Sequence, residues 1–354
     1  MNKKWIAICL SLVLVVSLTS CKQKEELEYA AGDSYISLTD DSYIFMRMNN
    51  GQTTYYRQYL DTGLVKDIGT IENFVLSAKG AAKVGERIYF TALINDNGLE
   101  YVGLFEIDLE TNTLSEVSKD AECSYDAYTF QCGKYVAVAK NVYNEATILS
   151  YIELYDPESK TALTILEKEI DTAATTGEII LRACSSDNEL FILNDIGQGE
   201  NFRPETTITK YIVDGEEGSA VKKDSVSLES VQEYIMAARV YQFLVMNSYV
   251  YMSNFSNDSV FGKIDGEIIT PIIQGRNVEF AGVTDNHILL YERGSDKIII
   301  VNIESGEYVY KNVETKYGYS IKCILLMGDN VVTVTKSPGK EDFIYVRQTD
   351  DVIG

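Results

Sequence analysis

The stretch Gly85-Glu86-Arg87-Ile88-Tyr89-Phe90, with Asp108-Leu109-Glu110-Thr111-Asn112 further along, decides the fold of this sequence. The first segment is a short polar turn that opens an apolar β-run, and the second ends the next β-run with an Asx-initiated turn. An Asp or Asn there accepts hydrogen bonds from the backbone just downstream, and glycine tolerates positive φ. The two signatures together therefore predict a pair of linked hairpins.

Both signatures recur in the same order along the chain, which indicates a repeat. The polar turn and apolar run occur seven times, with the strands anchored at Tyr43, Ile88, Tyr135, Leu190, Tyr249, Ile288 and Val331. Six of the seven units carry an Asx turn, at Asp61, Asp108, Asp156, Asp214, Asp265 and Asn302. The anchors lie on average 48 residues apart, which is the length of a propeller blade of four short strands.

We therefore predict an all-β protein, a β-propeller of seven four-stranded blades in residues 34–354. Six or eight blades remain alternatives, because a skipped or merged unit would lie at the two widest spacings, on either side of Leu190. In the second unit the four predicted strands are Phe74–Ala78, Ile88–Leu93, Tyr101–Ile107 and Leu114–Val117.

The two ends of the chain raise the question of how the ring closes. The last predicted strand is Phe343–Arg347, and only a short tail follows it. We expect residues near Glu26–Tyr29 to supply the outer strand of the seventh blade, since closure removes open sheet edges. The alternative is that residues 21–33 are a linker. One stretch, Leu228–Ala238, has helical spacing and reads equally as a short helix or a strand.

The turn pattern, as in Asp61-Thr62-Gly63, resembles the extracytoplasmic propellers of the YVTN and PQQ-like repeat group. The resemblance covers most of the chain after residue 20 and implies a propeller fold. The tryptophan that quinoprotein repeats use for blade docking is absent, since the one Trp of the chain is Trp5. The absence of this tryptophan argues against a quinone cofactor, and we expect no cofactor. The WD-repeat signature is missing too.

The first twenty residues have the layout of a bacterial secretory signal peptide. Lys3 and Lys4 precede an apolar run from Trp5 to Val16, and Leu18-Thr19-Ser20-Cys21 resembles the lipobox. A transmembrane helix needs about 20 apolar residues, whereas this run has only about 14 before polar residues follow. We therefore predict cleavage after residue 20.

The lipobox resemblance implies that Cys21 is the site of lipid attachment. A diacylglycerol on its thiol, with a third acyl chain (such as palmitate) amide-linked to the new N-terminus, would anchor stably because one chain alone is marginal. The predicted location is the outer, extracytoplasmic face of the cell membrane. The membrane is then a partner through the anchor alone.

Charge and composition exclude several functions. Without the leader the chain has 334 residues and 29 basic against 53 acidic side chains, a net charge of −24. Such a charge is repelled by nucleic acid and by anionic lipid, so neither is an expected partner. An apolar content of 45% is ample for a core and argues against disorder.

Cysteine and histidine usage points away from metals and nucleophiles. Four cysteines lie beyond Cys21, at 123, 132, 184 and 323, and we expect buried free thiols. Cys123 and Cys132 bracket one predicted strand, too long for a disulfide. His287 reads as a turn histidine, and Asn95-Asp96-Asn97-Gly98 as a hairpin turn rather than part of a calcium loop.

The sequence predicts no catalytic residue and leaves the function open. The leading hypothesis is a tethered, non-enzymatic propeller that binds a protein or glycan, or serves as a scaffold. The alternatives are an extracytoplasmic lyase or hydrolase that uses loop carboxylates, and an accessory subunit of a transporter or sensor. Ligands of propellers meet the face formed by the b–c and d–a loops, where we place Asn141, Tyr143, Asn144, Arg203, Asn254, Asn257 and Asp258.

Overall fold

The computed structural model describes residues 34–36, 39–72, 74–96, 98–120, 127–172, 176–198, 205–232, 234–235, 240–254, 256–340 and 342–354. These residues form seven consecutive groups of antiparallel strands, six of four strands and one of three, and within each group every strand pairs with the one before it. The groups are the predicted blades, and the order within each is a, b, c, d from the inner to the outer strand.

The strand bounds follow this repeat from beginning to end. The first three blades are β1 Ser34–Ile36, β2 Ser42–Asn49, β3 Gln52–Tyr59, β4 Val65–Ile71; β5 Phe74–Val84, β6 Arg87–Asp96, β7 Leu99–Asp108, β8 Thr113–Asp120; and β9 Tyr128–Cys132, β10 Tyr135–Tyr143, β11 Thr147–Asp156, β12 Thr161–Asp171. The fourth and fifth are β13 Thr176–Ser186, β14 Glu189–Gln198, β15 Glu205–Asp214, β16 Ser219–Ser227; and β17 Val240–Met246, β18 Tyr249–Asn254, β19 Asp258–Asp265, β20 Ile268–Arg276. The last two are β21 Val278–Val283, β22 His287–Glu292, β23 Lys297–Asn302, β24 Tyr308–Asn312; and β25 Ser320–Met327, β26 Asn330–Lys336, β27 Phe343–Gln348.

The prediction of a seven-bladed, all-β propeller is confirmed, and the described residues within the wide spacings around Leu190 contain no extra blade. All four strands predicted for blade 2 are present, each longer than its apolar run. Blade 7 has three described strands, and its c strand agrees with the predicted Phe343–Arg347. The chain then turns into a short helix, α1 Thr349–Ile353, whose Val352 packs into the core between blades 6 and 7. The predicted ring-closing strand at Glu26–Tyr29 and the anchor at Cys21 lie outside the described residues.

The core is divided into apolar clusters between neighbouring blades, because each strand sends alternate side chains to the blade on either side. On β6, Ile88 and Phe90 face blade 1 while Tyr89 between them faces blade 3. Such a strand is buried on both faces and reads as a continuous apolar run. Clusters of this kind fill all seven junctions of the ring.

The junction between blades 7 and 1 closes the ring. Tyr43 and Phe45 of blade 1 pack with Val332, Val334 and Ile344 of blade 7. Except for Ile344, which is 8% exposed, these side chains are at most 1% exposed. Full burial of one such side chain is worth roughly 1.5–3 kcal/mol. Apolar contact therefore joins the two ends of the described fold.

Blades 2, 3 and 4 are also joined through their backbones. Gly80 of β5 pairs with Thr129 of β9, and the ends of β12 and β13 pair at Asp171 and Thr176. Gly80 has a φ of +67°, and a Cβ there would overlap the Thr129 carbonyl oxygen. Only glycine permits this approach.

The Asx turns form as predicted at four of the six c–d connections. Asp108 Oδ1 accepts hydrogen bonds of 2.9 Å from the backbone N–H groups of Glu110 and Thr111. Asp156, Asp214 and Asn302 accept equivalent bonds from the residues two and three positions on. The turns at Asp61 and Asp265 close differently, with a Gly63 N–H bond to Tyr59 O and with Gly266 at a φ of +62°.

Two other expectations have mixed outcomes. Cys132 and Cys184 are buried free thiols as predicted, Cys323 is free but partly exposed, and Cys123 lies outside the described residues. The ambiguous segment after Leu228 contains a 3-10 helix, Glu229–Val231. No helix in the described part of the chain is long and apolar enough to span a membrane.

We predict that Asp108→Ala lowers the free energy of unfolding by about 1 kcal/mol, because two backbone N–H groups lose their shared acceptor. Asp108→Asn is the matched control, since Asn302 closes the equivalent turn of blade 6 with an amide oxygen. Urea denaturation followed by circular dichroism measures both. Equal destabilisation by Ala and Asn would show that the charge of Asp108, rather than its acceptor oxygen, stabilises the turn.

Candidate functional site

The two faces of the propeller differ in how their connections are built. The a–b and c–d connections, including the Asx turns, lie on one face, which we call the turn face. The b–c and d–a connections lie on the opposite face, which we call the loop face. His287 begins β22 in an a–b connection and bonds through its backbone to Thr284, so it lies on the turn face.

On the loop face of blades 5 and 6, backbone hydrogen bonds link successive connections. Asn277 N donates to Asn257 O at 2.7 Å, and Arg293 N donates to Asn277 O at 2.7 Å. Asn257 and Asn277 have φ values of +64° and +61°, a left-handed conformation that Asn tolerates better than most residues. The chain of bonds fixes the b–c loop of blade 5 to that of blade 6.

The same arrangement continues into blade 7. Gly294 N donates to Ile321 O at 2.8 Å, and Ile321 N donates to Ser295 O at 2.7 Å. The side chains on this part of the loop face therefore project from a backbone that is fixed across three blades.

A group of polar side chains, which we call the rim cluster, lies along this fixed backbone: Tyr241, Tyr251, Glu279, Tyr291, Arg293, Lys322, Cys323 and Asp342. Its centre is Glu279 of β21, whose carboxylate accepts a 2.6 Å bond from the Tyr291 hydroxyl and a 3.3 Å bond from Arg293 Nη1. The Glu279 side chain is 16% exposed and that of Arg293 is 52% exposed. Arg293 thus faces solvent while its partner is largely buried.

Hydroxyl groups join the rim cluster across the blade 5–6 junction. The Tyr251 hydroxyl donates to Val278 O at 2.9 Å, and Ser253 Oγ donates to Gln242 Oε1 at 3.2 Å. Tyr241 lies close enough to Ser253 and Glu279 for both to influence its pKa. Burial, the main cause, raises the pKa of Tyr241, Tyr251 and Tyr291, so their hydroxyls remain hydrogen-bond donors.

Blade 7 contributes an ion pair and a thiol. Lys322 Nζ lies 2.7 Å from Asp342 Oδ2, with the two side chains 19% and 10% exposed. Burial raises the pKa of Cys323 to about 12, with Lys322 and Arg293 opposing and Glu279 and Asp342 adding to the shift. The thiolate is the nucleophilic form, so Cys323 is a poor nucleophile at neutral pH.

A second polar group occupies the loop-face ends of blades 3 and 4. Lys168 Nζ lies 2.7 Å from Glu178 Oε2, and Asn194 Nδ2 donates to the other oxygen of the same carboxylate. Next to it on β14, Asp195 is 9% exposed and accepts a 2.5 Å bond from Thr206 Oγ1. Burial raises the pKa of Asp195.

The loop residues singled out from the sequence do not form one site. Asn141 is 4% exposed and bonds Ile180 O and Ser150, so it holds blades 3 and 4 together. Asn254 accepts bonds from the Ser256 and Asp258 backbones and shapes the β18–β19 turn. Of the others, Asn257 lies in the same turn, Tyr143 and Asn144 are at the exposed end of β10, and Arg203 is outside the described residues.

The sequence does not reveal the rim cluster, because its members lie inside or next to apolar runs. Glu279 lies between Val278 and Phe280, and Arg293 follows Tyr291-Glu292. A carboxylate within a strand that is otherwise apolar was the available signal. Chemically, the cluster offers one exposed guanidinium and several fixed hydroxyls. The described residues contain no group of three or more side chains suited to hold a metal ion.

A cavity of 820 Å³ lies between blades 4 and 5, near the turn face. Lys210, Lys222 and Lys223 line it together with Glu189 and Asp224. Lys210 Nζ lies 2.6 Å from Glu189 Oε1, so one of the three lysines is already paired. This cavity is separate from the rim cluster.

Comparison with known proteins supports the fold alone. No family model and no curated protein matches the chain. Among solved structures, it resembles the β-propeller domain of the Trilobed protease from Pyrococcus furiosus, which has an open velcro topology, with a TM-score of 0.53 and 14% identity over 90% of this chain and 95% of that one.

Two enzymes have similar propellers. Oligogalacturonate lyase from Vibrio parahaemolyticus gives a TM-score of 0.52 at 10% identity, covering 90% of this chain and 92% of that one. Acylaminoacyl peptidase gives a TM-score of 0.53 at 12% identity, and the 92% of this chain that matches corresponds to 54% of the peptidase. This chain is therefore a β-propeller.

Buried tyrosines give the protein an alkaline limit. Burial raises the pKa of Tyr55, Tyr251 and Tyr291, so their folding contribution is fully present below the unfolded value of about 10 and is lost as pH rises toward the folded values. We predict that phenolate absorbance rises in two steps, with exposed tyrosines first and the buried set together with unfolding. One complete step in folded protein near pH 10 would contradict this.

We predict that Glu279→Ala lowers the free energy of unfolding by about 1–3 kcal/mol, because the buried Tyr291 hydroxyl loses its acceptor. Glu279→Gln keeps an amide oxygen for Tyr291 and should stay close to wild type, since the ion pair to the exposed Arg293 is worth little. Urea denaturation compares the two variants. A Gln variant as unstable as the Ala variant would show that the carboxylate charge is needed.

Proposed function

We propose that this chain is a lipid-anchored propeller on the outer face of a bacterial membrane, where it binds a ligand without transforming it. The observation that carries the anchor is the run from Lys3 to Cys21: a positive start, an apolar core and a lipobox-like end. A lipid on Cys21 holds the protein at the membrane, and the propeller is the part exposed to the surroundings.

The loop face of blades 5 to 7 is the ligand-binding face in this proposal. Its backbone is fixed across three blades by interblade hydrogen bonds. The rim cluster places the exposed Arg293 guanidinium beside buried hydroxyl groups that remain protonated. An exposed guanidinium held on a rigid scaffold favours binding, because little ordering entropy is lost when the ligand arrives. Proteins and glycans are the ligand classes.

An extracytoplasmic lyase or hydrolase is the second candidate, and Asp195 is the observation that favours it. A buried carboxyl group with a raised pKa is suited to general acid chemistry. The Thr206 hydroxyl donates a hydrogen bond to one carboxyl oxygen of Asp195, a contact that also fits a purely structural role for this residue. Turnover of a ligand, rather than its retention, distinguishes this candidate.

We predict that Cys21→Ser, expressed in a bacterium that processes lipoproteins, leaves the membrane fraction or retains its leader, because the thiol that receives the diacylglycerol is gone. Membrane fractionation and the mass of the mature N-terminus measure this. Cys9→Ser is the matched control, since it changes a leader cysteine outside the lipobox and should leave anchoring intact. Unchanged membrane retention of a cleaved Cys21→Ser protein would overturn the lipid anchor.

A further inference from the structure

An exposed surface on blade 7 combines aromatic rings with cations. It consists of Lys316, Tyr317 and Tyr319 from the loop before β25, Lys340 from the loop before β27, and Phe343, Tyr345 and Arg347 from β27. We call it the aromatic–cation surface. It borders the rim cluster, since Lys322 and Asp342 of that cluster adjoin the same two segments.

Short distances join these residues into one surface, to which Tyr317 belongs as the chain neighbour of Lys316. Lys316 Nζ lies 5.1 Å from the centre of the Phe343 ring and 5.8 Å from that of Tyr319. Lys340 Nζ lies 5.5 Å from the centre of the same Tyr319 ring. Phe343 and Tyr345 are 4.9 Å apart between ring centres. Each cation is therefore held beside a ring, at a distance where the two attract.

The rings are unusually open to solvent. Tyr317 is 100% exposed and Phe343 is 40% exposed. Phe343 lies beside the ammonium group of Lys316, and the exposed Tyr317 follows Lys316 in the chain. An exposed aromatic patch of this kind marks an interaction site more often than a solitary exposed residue does.

The charge of the surface is opposite to that of the molecule. The full chain has a formal net charge of −22, yet Lys316 and Lys340 form no ion pair among the described residues. Arg347 is the paired member, with Nη2 2.7 Å from Glu314 Oε2. Two cations without an ion-pair partner in the described part of the chain attract an anionic ligand locally, while the acidic remainder of the protein repels it.

We propose that the aromatic–cation surface binds an acidic polysaccharide. The C–H face of a sugar ring packs on an aromatic ring, and the carboxylate of a uronic acid reaches the ammonium groups of Lys316 and Lys340. Rings and cations lie side by side on this surface, and such a polymer carries apolar sugar faces beside carboxylates. The inference rests on the proposed binding function and gives it a ligand class.

An acidic polypeptide is the competing ligand, and the rings decide against it. Carboxylates of a peptide satisfy Lys316 and Lys340 equally well, but glutamate side chains have no flat apolar ring to cover Phe343 and Tyr317. A polypeptide would therefore leave the aromatic part of the surface in contact with water. Binding of a polysaccharide should therefore depend on the aromatic residues, whereas binding of a polypeptide should not.

The test measures binding of the full-length, detergent-purified protein to alginate, polygalacturonate and hyaluronate, with neutral dextran and poly-L-glutamate beside them. We expect binding to at least one acidic polysaccharide, weakened by added salt, and none to dextran. Lys316→Gln/Lys340→Gln should weaken it about tenfold, because two exposed cation contacts are lost. Tyr317→Ala/Phe343→Ala should weaken it by a similar factor.

Matched controls alter the same residue types elsewhere. Lys222→Gln/Lys223→Gln removes two exposed lysines from blade 4, and Tyr143→Ala removes a tyrosine that is 51% exposed on blade 3. Both should bind as wild type does. All substituted side chains are exposed, so thermal unfolding should be unchanged, and a variant with a lowered unfolding temperature is replaced by the single substitutions Lys340→Gln and Tyr317→Ala.

Several results would overturn the inference. They are no binding to any of the three acidic polysaccharides, equal binding to poly-L-glutamate, an unaltered affinity in both double variants, or shortening of the polymer by the protein. The last result would also favour the enzymatic alternative. Membrane retention of Cys21→Ser is measured in a separate experiment. A failure of the proposed anchor can therefore be told from a failure of the proposed ligand class.

Discussion

The structure depends on apolar contact between neighbouring blades. A single four-stranded blade is apolar on both faces, as β6 shows with buried side chains directed to blade 1 and to blade 3. No blade can therefore exclude water by itself, and the first and last blades would each leave one apolar face open in a linear array. The packing of Tyr43 and Phe45 against Val332 and Val334 removes these two apolar faces from water. Closure of the ring is thus a requirement of the repeat itself.

The candidate site is a consequence of the same constraint. Because apolar packing fixes the distance between blades, backbone groups at the loop-face ends of adjacent blades meet at hydrogen-bonding distance, as at Asn277 and Arg293. Glu279 can then be held by Tyr291 and Arg293 in a position where it is largely buried. The turn face, by contrast, is closed blade by blade by local Asx bonds such as that of Asp108. Local turns build the blades, and contacts between blades build the rim.

This division explains what could be read from the sequence. The fold was predictable because a hairpin is a local pattern: Asp108 and Asp156 each signal a turn through residues two and three positions away. The rim cluster was not predictable, because Tyr241, Glu279 and Cys323 come together from blades 5, 6 and 7. Asn141 and Asn254, which sequence reasoning placed at a ligand face, are instead used to hold strands and turns. A polar residue in a predicted loop does not reveal whether its partner is the backbone or a ligand.

The predicted anchor and the loop face are connected by geometry. Strand β1 begins at Ser34 at the loop-face end of blade 1, and Tyr35 lies beside Lys322 of blade 7, 5.5 Å from ring centre to Nζ. A lipid on Cys21 is joined to this point by residues 21–33, which span at most about 45 Å when fully extended. The chain enters the propeller at the junction next to the rim cluster and the aromatic–cation surface. If residues 21–33 are a linker, a ligand bound there would be held within that reach of the membrane, and the net negative charge of the propeller would disfavour direct contact with anionic lipid. Ser34 and the proposed binding surface lie on the same side of the ring, so a lipid on Cys21 would set where a ligand is captured as well as where the protein resides.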